Sequence, residues 1–177
     1  MASMAMQCSS STKHCIMATA YLGLGTNIGN RKENLTRAIE ALSLALGPYT
    51  ALSAFIETAP WGFESENGFL NCAVAYETEL APEELLNITE GIERGLGRTT
   101  KSTGGTYHDR IIDIDILLYG SETVGTARLT IPHPLMHLRD FVLVPLAEIA
   151  PDFRHPTIGK SIGELAAELK VQQAQKG

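Results

Sequence analysis

A single α+β domain, with helices packed on one antiparallel sheet, is predicted from three observations. The chain has 177 residues, about one domain's length, and 44% of them are hydrophobic, enough for an ordinary core. Short β-favouring apolar runs alternate with segments whose apolar residues recur at helical spacing. The connection between the second and third apolar runs is short, which suits antiparallel neighbours.

The elements follow in order. Ala18 to Leu24 (ATAYLGL) is an apolar run closed by glycines and reads as a buried strand, with Gly25 to Gly29 as the turn after it. Asn30 followed three residues later by Glu33 has the pattern of a capping box. Behind it Leu35, Ala38, Ile39, Leu42 and Leu46 share a helical face until Gly47-Pro48 stops the helix. Tyr49 to Thr58 is the second strand, ended by Ala59-Pro60-Trp61-Gly62 and a polar loop to Gly68. Phe69 to Thr78 (FLNCAVAYET) is the third strand. Pro82 suits the first turn of a helix, whose stripe is Leu85, Ile88, Ile92 and Leu96.

A Gly/Thr/Ser-rich loop spans Arg98 to Asp109, and Ile111 to Tyr119 is the fourth strand. Leu129 to Ile131 reads as a short edge strand, Leu135 to Ala147 as a helix, and Ile162 to Leu169 as a last short helix. Strand, helix, strand, strand, helix, strand is the split βαβ, ferredoxin-like βαββαβ order, with helices on one face of the sheet. The residues after Gly120 add C-terminal elements as a further layer. Residues 1–16 (MASMAMQCSSSTKHCI) lack periodicity and an apolar signal stretch, so they read as a disordered extension or tag before a single domain at 17–177.

Composition removes several classes of function. No run approaches the ~18 apolar residues of a membrane span. Lys+Arg is 14 against Asp+Glu 20, a net charge of −6, which opposes non-specific binding to nucleic acid or an anionic membrane. The three cysteines, Cys8, Cys15 and Cys72, have no CxxC spacing and fit a reducing cytoplasm. The charge is unevenly spread: Arg94 to Arg139 holds six basic residues against four acidic ones. Such a cluster in an acidic chain points to a local anion site, the alternative being a mixed-charge surface.

Two near-matches to nucleotide motifs are set aside. Gly23 to Gly29 is spaced GxGxxxG and lacks the acidic residue that follows a dinucleotide fingerprint. Gly95 to Ser102 (GLGRTTKS) has Thr100 where a phosphate-binding loop needs glycine, and it follows a helix rather than a strand. His133 and His137 lie four apart, but Pro132 and Pro134 keep His133 out of a helix interior. His133 reads as a hydrogen-bonding group at a site edge rather than a zinc ligand.

Asp113 and Asp115 carry the sharpest signal. Residues two apart on a strand share a face, leaving Ile112, Ile114, Ile116 and Leu118 for the other. Adjacent carboxylates on an apolar strand repel one another, and a divalent cation relieves that repulsion. Oxygen-only ligands favour Mg²⁺, which keeps water and binds substrate phosphates; the alternative is an exposed strand face or salt bridges to Arg110 and its neighbours. Arginines bind phosphate oxygens in bidentate fashion, and Arg98, Arg110, Arg128 and Arg139 cluster around the pair in sequence. Together they describe a polyphosphate site for phosphoryl transfer. A second locus is Thr58 to Gly62 with Phe69, Leu70 and Asn71. There Trp61 and Phe69 either sandwich a flat heterocycle or pack the loop onto the core, and Asn71 offers both donor and acceptor.

From Ala18 to Ile158 the chain resembles 6-hydroxymethyl-7,8-dihydropterin pyrophosphokinase of folate biosynthesis. The resemblance is carried by YLGLGTNIGNR, TAPWG, FLNCAV, RIIDIDILLYG, IPHPLMHLRDFVLVPL and EIAP. It implies a ferredoxin-like fold and transfer of pyrophosphate from ATP, as co-substrate, to the hydroxymethyl group of a reduced pterin, releasing AMP. It also implies that Asp113 and Asp115 are ligands of two Mg²⁺ ions, and that Arg98 and Arg110 are loop arginines closing over the phosphates. Glu93, Ile116, Arg128, Thr130, His133 and Arg139 match ATP-binding positions. Thr58, Trp61, Gly62, Phe69, Asn71 and Phe141 match the pterin pocket. A cytoplasmic monomer acting on small molecules is the expectation. Against it stands a non-catalytic ferredoxin-like module that binds metal or nucleotide. An RNA-binding sheet would want exposed aromatics and a basic surface.

Overall fold

Strand β1 (Ala18–Thr26) lies at the centre of the sheet, and its alternate residues Ala20, Leu22 and Leu24 enter one core. In the computed structural model, residues 16–59, 67–97 and 111–177 are described. The expectations for residues 1–15, for Trp61 and Gly62, and for the loop holding Arg98, Lys101 and Arg110 therefore lie outside the described residues.

After β1 come α1 (Arg31–Leu46), β2 (Ala51–Leu52), β3 (Ile56–Thr58), β4 (Phe69–Thr78), α2 (Pro82–Gly95) and β5 (Asp113–Tyr119). Asn30 caps α1 by accepting the Glu33 N–H at 3.1 Å, and Gly47 closes it with φ of +90°, a left-handed value that favours glycine. The sheet order is β2-β4-β1-β5, with β3 also on β4, and every pairing is antiparallel. The predicted second strand is thus two short ones. The chain leaves the ladder at Ser53, whose Oγ accepts the Ala73 N–H at 2.9 Å. The next N–H, that of Ala54, is taken by the Glu148 carboxylate at 3.1 Å.

Alternation along the strands divides the interior. Cys72, Val74 and Tyr76 of β4, with Ile114 and Ile116 of β5, join the core under α1 and α2. Ala73, Leu117 and Leu118 join a second core on the opposite face. Leu118 departs from the expected alternation because Tyr21 pairs with Leu118 while Leu22 pairs with Ile116. Leu117 is the extra residue of a β-bulge, which shifts the phase of the strand.

The second core is covered by α3 (Asp140–Ile149) and α4 (Ile162–Lys176), so helices lie on both faces. β6 (Val124–Gly125) and β7 (Thr130–Ile131) form a separate two-stranded ribbon. The predicted helix from Leu135 is instead a 3-10 turn at Met136–Leu138 followed by α3. Between them Arg139 is extended, with φ −117° and ψ 111°. α4 starts on a capping box at Ser161 and Glu164 and runs beyond the expected Leu169.

Candidate active site

Two rows of residues across three strands form the floor of a cleft. Asp113, Gly25 and Asn71 are register partners on β5, β1 and β4, and Asp115, Gly23 and Ala73 form the next row. Residues two apart share a face, so both aspartates stand on the side covered by α3. Thr58 pairs with Phe69 on the β3 edge. The first turn of α3 supplies the facing wall with Phe141 and Val142, and Arg139 precedes it. The resulting cleft holds about 590 Å³ of empty space open to solvent, lined by Thr58, Phe69, Asn71, Asp113, Asp115, Arg139 and Phe141 among others. Its concave shape and its few convergent polar groups suit a small-molecule site.

The glycines explain how the floor stays clear. A Cβ on Gly25 would stand 2.7 Å from Asn71 Oδ1, and one on Gly23 would stand 3.3 Å from a Leu117 methyl. Glycine in a strand interior often marks such a close approach. In the sequence these glycines stand in a failed dinucleotide motif and in the YLGLGTNIGNR segment, neither of which assigns them this role. The available signal was their spacing of two, which puts them on one strand face.

Asn71 is only 4% exposed, and its Nδ2 donates to Thr58 Oγ1 at 2.8 Å. This bond fixes the amide, so the carbonyl end lies against Gly25. The Arg139 guanidinium, 6% exposed, sits 5.7 Å from the Phe141 ring centroid. Cation–π attraction at that distance helps to hold both groups at the cleft wall. Cys72, on the opposite side of β4, is buried, which pushes its thiol up to about 12 and leaves it unreactive.

His133 donates its backbone N–H to Leu117 O at 2.9 Å, and its Nδ1 accepts the Leu135 N–H at 3.2 Å. That leaves the proton of the neutral ring on Nε2. Burial lowers its pKa to about 4; the Arg139 charge adds to this, and Asp113 opposes it. The unfolded chain therefore binds a proton near pH 6.5 that the folded chain refuses. Stability from this group is complete above about pH 6.5 and declines as pH falls towards 4, by at most about 3 kcal/mol. His133→Gln is expected to flatten part of that decline in urea titrations at several pH values. Some slope should persist, because burial also lowers the pKa of His155.

Other expected residues lie elsewhere. Arg128 reaches across to α2, donating to Asn87 Oδ1 at 2.9 Å and pairing with Glu90 at 3.0 Å and Glu83 at 3.4 Å. Thr130 is exposed on β7. Ile116 is 4% exposed, with its side chain in the core on the opposite face from the aspartates. Glu93 is buried on α2 and bonds to the backbone of β5. Trp61, Gly62, Arg98 and Arg110 lie outside the described residues. No group of three or more acidic, histidine or cysteine side chains suited to a metal occurs among the described residues. Asp113 and Asp115 supply oxygen donors alone, in a cleft with room for more ligands. That fits a hard divalent ion completed by water and phosphate oxygens.

Comparison with known proteins agrees with this arrangement. Residues 21–151 match the family described as 7,8-dihydro-6-hydroxymethylpterin-pyrophosphokinase. A 2-amino-4-hydroxy-6-hydroxymethyldihydropteridine pyrophosphokinase of Porphyromonas gingivalis is 52% identical over 141 residues, covering 79% of this chain and 95% of that protein. The enzyme of the same name from Methylorubrum extorquens is 45% identical over 154 residues, covering 86% of this chain and 94% of that one. Among solved structures, wild-type HPPK-DHPS of Plasmodium falciparum with pteroate superposes with a TM-score of 0.73 at 16% identity, a likeness of fold. The match covers 90% of this chain and 46% of that one, so this chain spans about half the length of the Plasmodium protein. With both rows of the cleft's floor on motif residues, a family match over residues 21–151 and relatives this similar over nearly their whole length, the chain belongs to the 7,8-dihydro-6-hydroxymethylpterin-pyrophosphokinase family.

Proposed function

We propose that this chain transfers the pyrophosphoryl group of ATP to the hydroxymethyl oxygen of 6-hydroxymethyl-7,8-dihydropterin in this one cleft. The family and its similar relatives are named as pyrophosphokinases of a hydroxymethyl dihydropterin, and a Dictyostelium discoideum relative is named a folic acid synthesis protein. The substrate oxygen forms a bond to the β-phosphorus, the bond from that phosphorus to the α-bridging oxygen breaks, and AMP leaves with that oxygen. The hydroxyl proton is lost to water.

One observation carries the reading: Asp113 and Asn71 are register partners of the same residue, Gly25. Two strand spacings, about 10 Å, then separate a cation-binding carboxylate from the amide that reads a heterocycle edge. A hydroxymethyl arm bridges the remaining gap to a phosphate. Asp113 and Asp115 would hold two Mg²⁺ ions, which when bound supply charge neutralisation of the phosphates and acidify the attacking hydroxyl. Arg139, Arg98 and Arg110 bind phosphate oxygens and His133 flanks the nucleotide, while Arg128, Thr130 and the backbone of Ile116, whose side chain enters the core, border it from outside the described cleft. Thr58 and Asn71 orient the pterin, while Phe69, Phe141 and Trp61 pack on its faces beside Gly62. The order β2-β4-β1-β5, with α1 and α2 on one core, supports a ferredoxin-like βαββαβ reading of the sheet. A catalytic unit of 17–177, with 1–16 as an appendage, is part of the proposal, and the family match at residues 21–151 falls within it. Among the described residues no helix is long and apolar enough to cross a membrane. A cytoplasmic monomer without nucleic-acid partners is part of the proposal.

The test compares ligands. Phe69→Ala and Trp61→Ala are expected to weaken pterin binding about tenfold or more in calorimetry, and ATP binding far less. Aromatic pairing adds ~0.5–1.5 kcal/mol to the contact area lost. Equal losses for both ligands would reduce these rings to structural supports.

A further inference from the structure

We propose that Glu93 is a positioning residue, which fixes the Asp113–Asp115 segment by holding the outer edge of β5. This role rests on the pyrophosphokinase reading of the cleft and goes beyond the nucleotide contact expected for Glu93.

The carboxylate of Glu93 accepts the backbone N–H of Ile114 at 2.8 Å. Ile114 is the residue between the two aspartates, and its own side chain is packed in the core under α2. Among the described residues β5 is the last strand in the order β2-β4-β1-β5, so its outward N–H groups find no further strand there. An unsatisfied edge N–H in a buried place is costly. Glu93 is only 2% exposed, so its side-chain oxygen serves an N–H that water does not reach. That bond has a use at this point of the chain. Two like charges on one face push the strand apart locally, and the residue between them is clamped from the other face by α2. The clamp preserves the spacing of the carboxylates before any cation arrives, so less ordering is left for the binding step.

Three variants separate the possibilities. Glu93→Gln keeps an acceptor, Glu93→Ala removes it, and Glu93→Asp keeps the charge but shortens its reach. Amide exchange measured without ligand or metal should be about 100-fold faster at Ile114 in the Ala and Asp variants. In the Gln variant it should stay within about tenfold of the parent. The amides of Leu22 and Val74, deep in the sheet, should be unchanged and report that the fold is intact. The Mg²⁺ concentration that half-saturates binding of a non-hydrolysable ATP analogue should rise about tenfold in the Ala and Asp variants, while the pterin dissociation constant holds. Unchanged exchange at Ile114 in Glu93→Ala overturns the proposal, as does a Gln variant as impaired as Ala, or equal weakening of pterin and Mg²⁺. The exchange experiment needs no substrate, so a parent protein that forms no AMP would sink the pyrophosphokinase reading and leave the Ile114 result to stand by itself.

Discussion

Asp113→Ala and Asp115→Ala are each expected to lower turnover by about 1000-fold while the chain stays folded. Both side chains are only partly buried on β5, and they line one cleft on one strand face. Removing either leaves a single carboxylate to neutralise a polyphosphate, and loss of one pre-positioned electrostatic group costs ~10²–10³ in rate. Two such groups sharing cations act as a unit, which places the single variants at the high end. Truncation also removes like-charge repulsion along the strand. Melting in EDTA should therefore stay within about 1 kcal/mol of the parent. The Mg²⁺-dependent stabilisation by an ATP analogue should fall together with activity. Near-normal turnover in either variant would contradict the cation assignment.

Arg110→Ala should show the second largest effect, and it should fall on kcat rather than on ATP affinity. Arg110 precedes Asp113 by three residues, so the two Cα atoms are at most about 10 Å apart whatever the path between them. A guanidinium on that tether is long enough to reach a phosphate held by Asp113. Charge that shifts between phosphoryl oxygens during transfer is stabilised most by a group meeting it in the transition state. A loss of two or more orders of magnitude in kcat is expected, with a change of less than about tenfold in the ATP dissociation constant. Stopped-flow chemistry and equilibrium titration measure the two separately. A loss confined to affinity would make Arg110 an ordinary ground-state contact.

The parts of the site that sequence made legible are those set by local periodicity. Asp113 and Asp115 share a face because strand residues alternate, and the locus read from Thr58, Phe69 and Asn71 lines the same cleft. Long-range contacts were not legible. The division of the second strand depends on Glu148 of α3 reaching Ala54, and no local pattern announces that. The phase shift at Leu117 comes from pairing with Tyr21 and Leu22. The break at Arg139 was hidden by an apolar pattern that suits one continuous helix. There the chain straightens, and the arginine is buried against the cleft beside Phe141. Arg128 shows the opposite lesson: a basic residue near the right motif, held in this structure by Glu83, Asn87 and Glu90 of α2.

Product identity tests the central claim most directly. The protein is incubated with Mg²⁺, the reduced pterin alcohol and ATP labelled in both its β- and γ-phosphates, and the products are separated. Attack at the β-phosphorus predicts unlabelled AMP and a pterin carrying both labels, in equal amounts, with both formed about 1000-fold more slowly when Asp115 is replaced by Ala. ADP together with a pterin carrying one label would contradict it.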